Sequence, residues 1–281
     1  MNMNATQEKE LKKLATRIRM DVIEETHAAK SGHPGGSLSI ADLLAYLYTY
    51  EMHVDPKNPD DPDRDRLVLS KGHTVPALYA VLAAKGFLPH EDLITLRKVD
   101  SYLQGHPDLK HTPGIDMSTG SLGQGFSAAC GMAIAAKMAG KSYRTYAIVG
   151  DGESQEGQIW EGAMFAAHYK LDNLCMILDW NGLQIDGEVE KIMNPTPFKE
   201  KLEAFGFHVI PIDAHDFYQI EAALNEAKQT KGKPTAIVMK SVKGKGVSYM
   251  ENRVEWHGSA PNDELCKKAL DELQAYLDSL N

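Results

Sequence analysis

Asp151 lies between two glycines in Gly150-Asp151-Gly152, and Asn181 follows thirty residues later. Each comes just after an apolar run of strand character, Thr145-Tyr146-Ala147-Ile148-Val149 before the first and Leu174-Cys175-Met176-Ile177-Leu178 before the second. A helix-compatible stretch from about 156 to 169 separates the two runs, so the segment reads as one βαβ crossover. Ligands of an open parallel sheet bind off the carboxyl ends of its strands, where two such side chains converge. A carboxylate and an amide oxygen suit Mg²⁺, which takes oxygen ligands in an octahedron at about 2.0–2.1 Å, few of them from protein and the rest from phosphate and water. The glycines let backbone approach a bulky anion, and the start of the next helix points amides at it. The spacing therefore reads as a magnesium-diphosphate site. Gly-Asp-Gly alone equally fits a plain strand-to-helix turn with an Asp cap, and Glu156, at the mouth of that helix, equally fits an acid favoured by the helix dipole.

The elements that must position these residues alternate along the chain. Leu11, Leu14, Ile18 and Val22 recur at helical spacing, and 39–52 reads as a second helix. The segment 55–66, with three prolines and five Asp, is a surface loop. Leu67-Val68-Leu69-Ser70 is a short buried strand, followed by helices at 74–86 and 89–98. The stretch 101–121 has no regular pattern, and irregular segments of that length inside compact domains are usually functional. A small-residue helix covers 122–139. Beyond Asn181 come a helix near 197–205, a strand at 208–212, a helix at 216–229 and a strand at 235–239. Leu265, Ala269, Leu270, Leu273, Tyr276, Leu277 and Leu280 form the stripe of a closing helix. That helix ends without a linker, so Asn281 reads as near a natural end, a truncated chain being the competing reading. The pattern predicts an α/β fold, an open, mainly parallel sheet with helices on both faces.

A net charge of -9 and a pI near 5.7 argue against nucleic acid or an anionic membrane as partner. A diphosphate would have to be held by a metal and by backbone amides. Cys130, Cys175 and Cys266 show no CxxC spacing, which favours buried reduced thiols and, with no apolar run of 18 residues and no signal sequence, a cytoplasmic protein. There is neither a G-x-G-x-x-G after the first strand nor a Walker sequence, which argues against a nucleotide-binding Rossmann domain.

Around Asp151 and Asn181, five further motifs occur in order: Ser31-Gly32-His33-Pro34-Gly35-Gly36, Lys71-Gly72-His73, Gly105-His106-Pro107, Thr119-Gly120-Ser121-Leu122-Gly123-Gln124-Gly125 and Trp256-His257-Gly258. With them the chain resembles the amino-terminal half of transketolase, a thiamine-diphosphate enzyme, from roughly Leu11 to the closing helix. The resemblance implies one diphosphate-binding domain over 1–281. It implies Mg²⁺ held by the side chains of Asp151 and Asn181 and by the backbone carbonyl of Leu183. Gly152 would donate its amide to the phosphate, and Gly120, Ser121 and Leu122 would form the loop at the aminopyrimidine end. Four of the eleven histidines, His33, His73, His106 and His257, abut glycines and match family histidines. Singly, a loop histidine is more often solvated than catalytic. By resemblance, His33 and His106 face the sugar hydroxyls, His73 contacts the diphosphate, and His257 lies between phosphate and substrate. His27 and His168 read as helix residues, and His53, His90 and His215 as surface positions. The glutamate matching Glu156 lies at the subunit interface in the family. Lys243-Gly244-Lys245-Gly246 either lies over the diphosphate or carries solvated lysines.

The glutamate that polarises the aminopyrimidine belongs to the family's second domain, and nothing here matches that domain. The arginines that grip the sugar phosphate belong to it as well, and Arg64, Arg66, Arg97 and Arg144 sit in no matched motif. The resemblance thus implies the amino-terminal subunit of a split transketolase, active on sugar phosphates with a separate carboxy-terminal, pyrimidine-binding subunit in an α2β2 heterotetramer. Its reaction would be transfer of a two-carbon ketol unit from a ketose phosphate to an aldose phosphate. A split enzyme for an unusual sugar phosphate and a deoxyxylulose-phosphate synthase-like protein are the alternatives.

Overall fold

A computed structural model describes residues 3–281. The chain enters through α1 (Ala5–Ala29), whose start is closed by a capping box between Asn4 and Gln7 and whose end is closed by Lys30 in the left-handed region. Leu11, Ala15, Ile18 and Val22 form its buried stripe, as the spacing predicts, while Leu14 is half-buried. The helix expected over 39–52 is instead two pieces, α3 (Ala41–Tyr46) and a π-turn over Leu47–Glu51, and a further short helix, α2 (Pro34–Leu38), precedes them. Pro34 at the first position of α2 presets its backbone for helix, which is why helix begins inside the glycine-rich break rather than after it. Tertiary packing keeps Gly35 there, since a methyl group on it would come within 2.7 Å of the Trp256 carbonyl.

The main sheet contains β1 (Arg66–Leu69), β2 (Thr145–Gly150), β3 (Leu174–Trp180), β6 (His208–Asp213) and β7 (Thr235–Lys240), all parallel, in the order β1-β2-β3-β7-β6. A two-stranded hairpin, β4 (Leu183–Gln184) and β5 (Gly187–Glu188), stands beyond the end of β3 and leads into the one-turn helix α7 (Val189–Ile192). Alternation assigns each strand residue to one of two cores. Tyr146, Ile148, Cys175, Ile177, Ile237 and Met239 face a core shared with α1, α3, α4 (Val75–Lys85), α9 (Phe217–Gln229) and α10 (Asp263–Ser279). Ala147, Val149, Met176, Leu178, Ala236 and Val238 face the other, shared with α5 (Gln124–Met138), α6 (Gly157–His168) and α8 (Phe198–Ala204). Helices on both faces of a parallel sheet are the predicted class. Within α10 the buried stripe runs through Cys266, Ala269 and Leu273, while Tyr276 is exposed.

One other expectation changes. The stretch predicted as a helix at 89–98 is a 3₁₀ turn over His90–Thr95, and the segment from 96 to 123 carries no regular element. The three cysteines are buried and free. No described helix is long and apolar enough to cross a membrane.

Glu25, on the buried side of α1, has no solvent exposure, and neither carboxylate oxygen has a hydrogen-bond partner among the described residues. Burial, reinforced by the nearby Asp21, pushes its carboxyl well above the ordinary range. The folded state therefore keeps a proton that the unfolded chain releases, so this group's contribution is fully present below about pH 4.5 and is lost as pH rises through the raised value. Glu25→Met is expected to add about 1–3 kcal/mol of stability at pH 8 and clearly less at pH 5, measured by urea unfolding at both pH values. Equal effects at the two would contradict this account.

Candidate active site

The carboxyl ends of β1, β2, β3 and β7 surround a half-open cavity of about 280 Å³. Its lining includes His33, His73, Gly120, Leu122, Asp151, Gly152, Glu156, Asn181, Leu183 and His257. Residues scattered over more than two hundred positions of sequence thus meet at one place. Of the remaining candidates, His106 lies just outside, its ring against Gly120, where an added methyl would come within 3.0 Å of His106 Cδ2. Ser121 is exposed and gives its carbonyl to the Gln124 amide, so it helps close the turn into α5.

Register explains why Asp151 and Asn181 meet. Gly150 pairs with Asp179 across β2 and β3, so the next residues of both strands leave the sheet side by side. Asp151 Oδ2 accepts the Gly182 amide at 2.5 Å and Oδ1 accepts the Gly152 amide at 2.8 Å. Burial and the neighbouring Asp179 carboxylate push the Asp151 carboxyl up to about 6. Two amides and the charge of Lys243 oppose that rise only in part. A buried carboxylate beside a second carboxylate is a position where a cation is favoured.

Asn181 is oriented by what holds its nitrogen. Nδ2 donates to Asp179 Oδ2 at 3.0 Å, which leaves Oδ1 as the atom turned outward, where it also accepts the Leu183 amide at 3.1 Å. Asp179 itself is fully buried and gathers Lys71 Nζ at 2.6 Å, the Ser39 hydroxyl at 2.8 Å and the Ser241 hydroxyl. Burial works against its ionisation, but Lys71 and the hydroxyls of Ser241 and Ser39 outweigh it and hold the carboxyl below its usual value. Lys71 also donates to the Gly36 carbonyl at 3.0 Å, tying the start of α2 to the end of β3.

A second buried acid, Glu153, joins three segments. It accepts the Ser70 hydroxyl at 2.6 Å, the Gly123 amide at 2.8 Å and the Gly150 amide at 3.0 Å. Gly120 has a φ of +153°, and with an added methyl nearly touching His106 the position admits glycine alone.

Three imidazoles pack together, with ring centroids 5.1 Å apart for His33 and His73, 5.5 Å for His33 and His257, and 5.2 Å for His73 and His257. Burial lowers all three: His33 to about 4 with help from Arg97 and His106, His257 to about 3 with help from Lys243, and His73 well below the ordinary value with help from Lys71. At neutral pH the cluster is uncharged. Lys243 Nζ lies 2.8 Å from His257 Nδ1, and an ammonium only donates, so His257 carries its own proton on Nε2. His33 Nδ1 is buried and has no partner among the described residues.

Several of these residues carry no strong signal in the sequence. Lys243 is fully buried and lines the cavity, so it is not one of the solvated lysines allowed for its loop; Lys245, half-exposed, pairs with Glu251 at 3.6 Å. His215 is not a surface position. Its side chain is 15 % exposed, with Nδ1 2.7 Å from Asp42 and Nε2 accepting the Val242 amide, and Asp42 is in turn paired with Arg19. His53 and His90 are exposed, as expected. Asp179 lies near the end of β3 and Glu153 in the turn after β2, and neither stands out in the sequence although buried acids must find partners.

The family model for the transketolase thiamine diphosphate binding domain matches residues 10–274. The chain belongs to the transketolase family. It is 48% identical over 268 residues to a 6-deoxy-6-sulfo-D-fructose transketolase subunit of Clostridium sp. strain MSTE9, a match covering 95% of this chain and 98% of that protein. It is 42% identical to an apulose-4-phosphate transketolase subunit of Phocaeicola vulgatus, over 93% of each chain. Against human transketolase it is 42% identical over 96% of its length but spans only 43% of that protein. The transketolase structure from Campylobacter jejuni superposes with a TM-score of 0.90 at 35% identity, over 99% of this chain and 46% of that one. The expected resemblance to amino-terminal subunits of split transketolases is borne out, and the fold is that of transketolases. Thiamine diphosphate is the cofactor after which the matched domain is described, and the family is one of transferases.

Removing the Asp179 carboxylate leaves the Lys71 ammonium buried and unpaired. Asp179→Ala is expected to cost about 3–5 kcal/mol in urea unfolding, and a loss below about 1 kcal/mol would show that the pair does not organise this edge of the sheet.

Proposed function

We propose that this chain is the diphosphate- and magnesium-binding subunit of a two-chain transketolase. It would transfer a two-carbon ketol unit from a ketose phosphate to an aldose phosphate with a separate carboxy-terminal subunit, in an α2β2 assembly. The observation that carries this reading is the arrangement of oxygens at the cavity. The Asp151 carboxylate, the Asn181 Oδ1 left by its bond to Asp179, and the Leu183 carbonyl, which here accepts Lys243 Nζ at 3.1 Å, lie on adjoining backbone segments. All three are hard oxygen donors of the kind Mg²⁺ takes together with phosphate oxygens. No cluster of three or more His, Cys, Asp or Glu suited to a metal occurs among the described residues, which fits a cation completed by cofactor oxygens and water.

Thiamine diphosphate supplies, when bound, a carbanion that serves as electron sink for the two-carbon fragment. This chain's residues would do the rest of their half. Gly152 and the loop of Gly120, Ser121 and Leu122 offer backbone groups to the cofactor, while His73 and Lys243 stand beside the diphosphate. Neutral His33, His106 and His257 would accept and return hydroxyl protons, a role open to imidazoles that are uncharged at working pH. Glu156, exposed at the cavity rim, is placed to meet a neighbouring subunit. Ile185, which lines the cavity, and Met193 just beyond the hairpin are each more than half exposed, which supports a polypeptide cover over this side.

A second reading keeps the chemistry and changes the donor. The relatives from Clostridium and Phocaeicola bear names that specify 6-deoxy-6-sulfo-D-fructose and apulose 4-phosphate, so a modified sugar is the alternative substrate. The match to the transketolase family favours both readings over a deoxyxylulose-phosphate synthase-like activity.

Calorimetry is expected to show thiamine diphosphate binding that Mg²⁺ strengthens and that Asp151→Ala weakens by about 100-fold or more. A metal effect intact in Asp151→Ala would refute the ion's placement. With its carboxy-terminal partner the chain is expected to transfer ketol units from xylulose 5-phosphate or, on the second reading, only from a modified sugar. Transfer by this chain alone would refute the two-chain account.

A further inference from the structure

Arg97 belongs to no motif, yet it joins two of them. Its backbone has a φ of +59°, a left-handed conformation that a long side chain rarely adopts, and its amide donates to the Leu103 carbonyl at 2.9 Å, closing the 97–103 loop. This brings the guanidinium flat against Gly105, where an added methyl would come within 2.6 Å of Arg97 Cζ. Nη1 donates to the Ser31 hydroxyl at 3.2 Å, and Nη2 points at the Gly105 carbonyl at 3.5 Å. Neither partner is charged. Ser31 precedes Gly32-His33, and Gly105 precedes His106, so one planar fork spans the loops carrying both histidines. The far side of the second loop is held by Tyr79, whose hydroxyl lies 3.0 Å from the Gln104 carbonyl and 3.2 Å from that of His106.

We propose that Arg97 is a positioning residue of the ketol-transfer site, holding the Ser31–His33 and Gly105–His106 loops at one spacing and presenting its charge to both imidazoles. This rests on the functional reading given above. The guanidinium is exposed, and an ordinary surface arginine would pair with a carboxylate or extend into water. This one is committed to two neutral oxygens beside the cavity mouth. Its charge is felt at both rings: after burial, Arg97 is the largest influence lowering His33 and likewise His106. The other groups facing His33 are His106 and Lys243, together with the rings of His73 and His257, while His106 faces Arg97 and Gly120. A positive neighbour disfavours the protonated ring, so Arg97 keeps both histidines available as acceptors toward lower pH.

Two variants separate the charge from the fork. Arg97→Gln removes the charge and keeps an amide donor, whereas Arg97→Lys keeps the charge and loses the planar fork. In nuclear magnetic resonance titrations of the histidine-labelled chain, Arg97→Gln is expected to raise the midpoints of His33 and His106 by about 0.5 pH unit, and Arg97→Lys to leave them in place. In the assembled two-chain enzyme, Arg97→Gln moves the acidic limb of kcat/KM upward by the same amount. Arg97→Lys lowers kcat/KM by about tenfold without moving the limb. Midpoints unmoved in Arg97→Gln, or two variants alike in both measurements, would reduce Arg97 to a surface staple and overturn the proposal. The midpoints are read on this chain by itself, so a shift supports Arg97's role even if the native assembly transfers no ketol unit, a result that would instead fail the functional reading.

Discussion

A carboxylate with no access to water must be paired, and Asp179 is paired four ways. Lys71 arrives from the end of β1, Ser39 from the turn after α2, Ser241 from the end of β7, and Asn181 from two residues further along its own chain. Each of these segments is fixed at the carboxyl edge of the sheet because leaving any donor unpaired there would be costly. The site follows from this constraint. Lys71 draws the Gly36 carbonyl and the start of α2 inward, which brings His33 to the cavity. The amide of Asn181 is turned by its bond to Asp179, and its oxygen accepts the Leu183 amide. Glu153 repeats the device one strand over, holding Ser70, Gly123 and Gly150 around a single buried acid.

The electrostatic character of the site grows from the same burial. Two ammonium groups, those of Lys71 and Lys243, sit with three packed imidazoles, and each imidazole is driven toward its neutral form by desolvation and by those charges. The result is a pocket of uncharged imidazoles set beside two ammonium groups and buried carboxylates. Such a pocket suits a metal-diphosphate, which brings its own charges, and it suits proton exchange with hydroxyl groups near neutral pH. Arg97 extends this logic outward, adding positive potential at the rim.

Much of the fold was legible because its strands are short apolar runs and its longer helices carry clear stripes. The runs ending at Gly150 and Leu178 gave the crossover, and the parity of side chains along them gave helices on both faces. What sequence could not resolve was structure fixed by distant partners. The broken helix between Pro34 and Glu51 follows from Ser39 and Gly36 meeting residues 140 and 35 positions away, and no local propensity encodes that. Gly35 and Gly36 read as a break and are helical because the neighbouring Trp256 carbonyl and Thr74 methyl leave room for nothing larger. In the site, positions with a distinctive local spacing, such as Asp151 and the glycine-flanked histidines, could be named. Asp179 and Glu153 could not, the Lys243 loop stood open between two readings, and His215 read as a surface position, since the importance of all four lies in partners that only the folded chain supplies.

The central claim is that one divalent cation sits between the Asp151 carboxylate and the outward oxygen of Asn181, with the Leu183 carbonyl beside it. Crystals grown with thiamine diphosphate and Mn²⁺ in place of Mg²⁺ test it directly through the anomalous scattering of manganese. A single peak within about 2.5 Å of all three oxygens is the predicted result. A peak elsewhere in the cavity, or clear cofactor density with no manganese at these atoms, would contradict the account.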